Sequence, residues 1–367
     1  MTDEKSRRPA RQSPGLIIGM VLAMFVATGL VIKPGAGRTD GPVRPVLHAG
    51  TVEPVGPADA EIAEKAAATV VLVRDDSGAA ARAPVETVAA TMAPPFERSA
   101  IEILRVRSAT DLSAKFAELN YSVDAVRELG AEVPRISLAS FPADLGELES
   151  IEERKALFFG SMLPLVLQVN ESILRDRWQL LALRDRLDAG EILSGADLIW
   201  LTLLAQRYGL ERIDIDELVL RVDIVPPSMA LAQSAVESGW GTSRFAVEGN
   251  AVFGQITFAA TGIVPLNRKP GETHLFAAFD ALIDGTQSYV RNLNTHRAYA
   301  KFRQLRAEQR ARGERLDGSR LLDGLLRYSE LGQDYIDYVR GVIRANDLDQ
   351  MDHARLAAPQ TLIASSI

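Results

Sequence analysis

The 367-residue chain contains no cysteine. That absence excludes disulfides, thiol nucleophiles and cysteine-held metal centres, and it fits an oxidising or a reducing compartment equally. Histidine is scarce as well: there are four, among them His274 and His296, at no metal-ligand spacing. Neither a metal nor any other cofactor is therefore expected. A basic excess is also missing. Lys and Arg number 41 against 48 Asp and Glu, a net charge of −7, which argues against a general nucleic-acid binder.

Charge of either sign is absent from "GLIIGMVLAMFVATGLVI", Gly15 to Ile32. As a helix this run would rise about 1.5 Å per residue to about 27 Å, enough to cross a bilayer core. Residues 1–14 carry Lys5, Arg7, Arg8 and Arg11. That flank predicts a cytoplasmic tail, with the chain beyond Lys33 on the far side of an inner membrane. A cleaved signal peptide is the rival reading, but its apolar core is usually shorter, and "VATG" and "KPGAG" are poor cleavage sites. Residues 15–32 thus read as an uncleaved anchor.

Aromatics are nearly absent from residues 33–100, which are rich in Pro, Ala, Gly and Val and show no sustained period. They read as a disordered spacer, with short helix around Ala58 to Val73. From Ile101 the character changes. Two short helices are expected in "DLSAKFAELNYSVDAVRELG", then a longer helical region. In it Leu157, Phe158, Met162, Leu165, Val166, Val169 and Ile173 form a buried stripe. Pro164 is expected to kink that region or to begin a helix within it. "SGADLIWLTLLAQRYGL" reads as another helix, with Ser194 or Asp197 as its N-cap.

Pro226-Pro227 and Gly239 bracket "SMALAQSAVES", an entry and an exit signal around good helix formers. "NAVFGQITF" and "ETHLFAAF" have strand-like composition and flank turn chemistry at Lys269-Pro270-Gly271. Helical sequence then resumes. The fold class expected is mainly α with a small β-lobe. Its divisions are a helical extension at 101–210, a catalytic domain at 211–348 and a tail at 349–367.

Glu237 ends the bracketed helix, with Met229, Ala232 and Val236 as the inward stripe. Partial burial, the flanking Trp240 and the negative end of the helix dipole would each raise its pKa. A carboxyl group that stays protonated near neutrality is what protonates a departing sugar oxygen. The plainer reading is a solvated glutamate at a helix end. Gln233, one turn earlier, either orients Glu237 by hydrogen bond or caps a polar edge. Trp240 is a sugar-stacking platform or a core wedge. The arginine-rich segment Arg303 to Arg315 reads as a solvated helix face.

The neighbourhood favours the catalytic reading. "PPSMALAQSAVESGWGTSRFAVEGNAVFGQ", Pro226 to Gln255, resembles the signature of the glucosaminidase-domain peptidoglycan hydrolases, which include the flagellar muralytic proteins. "VRNLNTHRAYAKFRQLR" and "LLRYSELGQDYIDYVRGVIRAN" resemble the Bax-type branch of that family, as do "VPRISLASFPADL" and "ERKALFFGSMLPLVLQVNESILRDR". The resemblance covers about residues 110–348. It implies a lysozyme-like fold with a β-lobe over Val252 to Phe279. It also implies that Glu237 is the general acid for a β-1,4 bond after N-acetylglucosamine. Asn250, Phe253 and Gly254, with Gln255 beside them, would line the sugar groove together with Gln233 and Trp240, and Tyr299 would face the same cleft.

One departure stands out. Leu266 and Asn267 occupy the place where several members carry a second acid. Glu272 or Glu248 would have to replace it, or the 2-acetamido group of the substrate would act as nucleophile. The expectation is a membrane-anchored periplasmic β-N-acetylglucosaminidase whose partners are peptidoglycan strands and the inner membrane. A muramidase or lytic transglycosylase, and a non-catalytic wall-binding module, are the alternatives.

Overall fold

The computed structural model describes residues 102–257, 262–264 and 275–359. The expected anchor, spacer, Ala58–Val73 helix, 269–271 turn and Glu272 lie outside them. Among the described residues most of the chain is helical, and a single hydrophobic core runs from Leu104 to Met351. The stretches expected as an extension, 101–210, and as a second domain, 211–348, therefore share their interior.

The extension opens with a strand, β1 (Glu102–Leu104), which pairs in parallel with β2 (Ile136–Leu138), Ile103 opposite Ser137. Between them lie α1 (Ala109–Glu118) and α2 (Val123–Leu129). The side chains of Ser108 and Ser122 accept from Asp111 N and Ala125 N and so start these two helices. This parallel pair was not expected. Strands of three residues leave too little alternation to be read from sequence.

The backbone of the body is α3 (Ile151–Asp188), started by the Ser150 cap. Pro164 lies inside it and does not begin a helix, the second of the two outcomes expected there. Residues 157–170 are buried on every side. Each large apolar side chain in that stretch contributes ~1.5–3 kcal/mol, and together they outweigh the ~3 kcal/mol cost of an internal proline. Long and apolar enough to cross a membrane, α3 has most of its apolar stretch covered by other elements of the protein, as a core helix does.

α4 (Gly195–Arg207) follows, and both candidate caps act at once. Ser194 Oγ accepts from Asp197 N, while Asp197 accepts from Ser194 N. After α5 (Ile215–Arg221) comes α6 (Pro227–Ser238), entered at the two prolines and ended by Gly239 at φ +58°. Of the stripe expected on α6, Met229 and Ala232 are buried, but Val236, half-buried, is the one position of the helix that is not. The rest of the helix is inside because α3 and elements from the C-terminal part of the chain pack around it.

α7 (Arg244–Gly249) leads into the β-lobe, where β3 (Ile256–Thr257) pairs antiparallel with β4 (Leu275–Phe276) and Ile263 bridges Phe276 from its other side. α8 (Leu282–Thr295), α9 (Ala300–Ala311), α10 (Gly318–Leu321) and α11 (Gln333–Ala345) complete the helices. Residues 349–367 were expected to be a tail, yet the body continues past 348. Met351 is buried, Asp352 accepts from Ser228 N and Oγ at the start of α6 (both 2.8 Å), and Leu356 bridges Val133.

The arginine-rich face of α9 is not solvated as expected. Arg303 and Arg306 are buried. Arg306 donates to the carbonyls of Leu220, Asp223 and Ile224 and to Asn294 Oδ1, while Arg310 pairs with the buried Asp223. The carbonyls at the end of α5 need donors, and arginine, always charged with five of them, supplies these from α9. Arg312 and Arg315 do remain exposed.

Candidate active site

α6 carries Gln233 and Glu237 one turn apart, and so on one face. Beyond Gly239 the chain stays left-handed through Trp240 (φ +61°) and Gly241 (φ +77°). A tryptophan in that region is strained. Its ring is wedged edge-on against Phe158 and Phe159 of α3, at 6.0 and 5.3 Å between centroids, with Lys155 Nζ 5.5 Å from its centre. Trp240 is half-buried in this position.

Glu237 is only 8% exposed. Burial pushes its carboxyl group up to about 8, against the opposing effect of a hydrogen bond from Tyr335. At neutral pH the group is therefore largely protonated. Tyr335 Oη, on α11, donates to Glu237 Oε1 at 2.8 Å. The other oxygen faces Gly254: a Cβ built on that glycine would lie 2.9 Å from Oε2. Gly254 also sits at φ +61°, where a side chain is disfavoured.

Behind the carboxyl group lies a buried polar chain. Tyr289 Oη, from α8, donates to Gln233 Oε1 at 2.7 Å, and Gln233 Nε2 donates to Tyr335 Oη at 2.9 Å. Gln233 is fully buried, so it supports Glu237 through Tyr335 and does not line a groove as expected. Phe253 is buried too, stacked on Tyr289 with centroids 3.9 Å apart and planes 6° apart. Tyr328 donates to the Phe253 carbonyl at 3.1 Å and stacks on Tyr335 at 5.5 Å. Tyr299 continues this row, 5.9 Å from Tyr328. Burial pushes its hydroxyl up to about 12, against a hydrogen bond with Asn292.

The remaining expected residues hold the loop that presents Gly254. Asn250 ends α7 at φ 53°, and its Nδ2 donates to the Phe279 carbonyl at 3.0 Å. Gln255 Nε2 donates to Ser288 Oγ at 3.1 Å, while its carbonyl accepts from Ala277 N. Glu248 is exposed on α7 and paired with Arg244 at 3.2 Å. Among the described residues, no three His, Asp or Glu side chains gather as metal ligands would.

Tyr289, Tyr328 and Tyr335 were missed from sequence, although each falls within or beside the motifs quoted above. A signal for Tyr335 was present. It heads the stripe Tyr335, Ile336, Val339 and Ile343, whereas Tyr338 stands off it and is exposed.

The family model for mannosyl-glycoprotein endo-beta-N-acetylglucosaminidase matches residues 215–348. "Protein bax" of Escherichia coli (strain K12) is 30% identical over 209 residues, which cover 55% of this chain and 73% of that protein. No solved structure matches the chain. The matched domain supports a glycoside-hydrolase type of enzyme with a glycan substrate such as peptidoglycan. From Glu237 at the end of its buried helix to the motifs of α8 and α11, the chain belongs to the glucosaminidase-domain family, in its Bax-type branch.

Proposed function

We propose that the protein is a β-N-acetylglucosaminidase that hydrolyses β-1,4 bonds of peptidoglycan glycan strands, with Glu237 as general acid. The observation that carries this reading is a carboxyl group held protonated by burial, with a tyrosine donating to one oxygen and a glycine in close approach to the other. In the reaction Glu237 gives its proton to the glycosidic oxygen. The bond from that oxygen to the anomeric carbon breaks, its electron pair staying on the oxygen. Water then adds hydroxide to the anomeric carbon and returns a proton to the Glu237 carboxylate. In this reading the carbonyl oxygen of the substrate's 2-acetamido group bonds to the anomeric carbon as the leaving oxygen departs. That bond breaks again, its electron pair returning to the acetamido oxygen, when water attacks. Glu248, engaged with Arg244, is not assigned the role.

The enzyme works in the periplasm, held at the inner membrane by Gly15 to Ile32. The decisive experiment is mass spectrometry of peptidoglycan digested by the purified protein and by Glu237→Gln. Fragments with reducing-end N-acetylglucosamine, absent with Glu237→Gln, are expected. Reducing-end or anhydro muramic acid would replace the reading with a muramidase or transglycosylase. Binding to insoluble wall without soluble products would replace it with a wall-binding module.

A further inference from the structure

We propose that Tyr289, Gln233 and Tyr335 form a one-way hydrogen-bond relay that keeps the transferable proton of Glu237 on Oε2, the oxygen beside Gly254. This rests on the reading of Glu237 as the acid and adds positioning residues to it. The direction follows from counting protons. Tyr289 donates to Gln233 Oε1, which turns the amide so that Nε2 donates to Tyr335. A phenol has one proton. Tyr335, already accepting from Gln233, directs its own proton to Glu237 Oε1. With Oε1 accepting, the carboxyl proton belongs on Oε2.

Reversing the amide would reverse the chain. Tyr335 would give its proton to Gln233, Glu237 would donate from Oε1 into the protein, and the acid would face away from Gly254. Tyr289 opposes that reversal. It is 1% exposed and stacked on Phe253, so its hydroxyl proton would lose the Gln233 acceptor in a buried place. After proton transfer the same relay still donates to the Glu237 carboxylate, stabilising it without rearrangement. The titratable groups within electrostatic reach of Glu237 are Tyr289, Tyr299, Tyr328 and Tyr335, phenols that are neutral around pH 7 and that burial pushes still further from ionising.

The test is the titration of Glu237 itself, followed by carboxyl 13C NMR of glutamate-labelled protein without substrate. Tyr335→Phe keeps the ring against Tyr328 and removes the donor; the titration is expected to move up by about one pH unit, with kcat about tenfold lower and KM unchanged. Tyr289→Phe makes no contact change at Glu237, yet it should move the titration in the same direction by less. Unchanged titration in Tyr335→Phe, or in Tyr289→Phe alone, overturns the relay, even if melting temperatures fall. Product release by Glu237→Gln would instead sink the catalytic reading, since the titration needs no turnover.

Discussion

Glu237 Oε2 and the α-carbon of Gly254 are so placed that one added methyl group would meet the carboxyl oxygen at 2.9 Å. The two residues come from different elements, the end of α6 and the loop before β3. Their approach is so close that only glycine at 254 leaves the carboxyl oxygen where it lies.

Gly254→Ala should therefore damage activity far more than folding. The left-handed backbone costs ~1 kcal/mol with alanine, and the new methyl group must displace the carboxyl. A shift of even 1 Å at a reacting group can cost about a hundredfold in rate. We expect kcat to fall by about that factor with a melting temperature only a few degrees lower. A variant as active as the parent would show that this close approach does not set the position of a reacting group.

Holding Glu237 protonated destabilises the fold at higher pH. The folded carboxyl titrates at about 8 and the ordinary value is 4.5, so the folded state binds more protons throughout that window. Stability then falls as pH rises from about 4.5 to about 8, and is flat beyond. At ~1.4 kcal/mol per pH unit the total is on the order of 5 kcal/mol. Glu237→Gln, which cannot ionise, should lose this slope and be the more stable protein at pH 8. Denaturant unfolding across pH checks it, and parallel curves for the two proteins would refute it.

Asp223 is the hub of the buried charges. Burial pushes its carboxyl up, but Arg306, Arg310 and Arg177 outweigh this and hold it below the ordinary range. Asp223→Ala would leave Arg306 buried without its counter-charge, a loss of ~3–5 kcal/mol. Arg310→Ala should cost only ~1 kcal/mol, because that side chain is partly exposed and two arginines remain. Urea denaturation would separate the two. Equal losses would mean that the cluster does not act through Asp223.

Asp352 caps α6 from the far end of the chain. Burial raises its carboxyl to about 6, against hydrogen bonds from Ser228 and Gly318. Its ordinary value is 3.8, so this group's contribution to stability falls as pH rises from about 4 to about 6. Asp352→Asn retains an acceptor for Ser228 N. The difference in stability between parent and variant should drop by ~3 kcal/mol over that window and then level. A flat difference would place the Asp352 titration at its ordinary value.

Local signals carried much of the architecture. The two prolines and Gly239 bound α6, Ser194 and Asp197 start α4, and Glu237 stands at a helix end where it was expected. These features were legible because capping, proline entry and left-handed exit involve neighbours within a turn. The arginines of α9 were not. Their sequence looks solvated until the carbonyls at the end of α5 arrive as acceptors from more than 80 residues away.

The sequence by itself determined that Glu237 lies at a helix end and the order of the motifs around it. Only the tertiary structure decided that Glu237 is buried, that Tyr335 donates to it from 98 residues further on, and that Gly254 closes on its other oxygen. The reason is physical. Proton affinity depends on the water and donors around a carboxyl group, and those are supplied by whatever packs against α6.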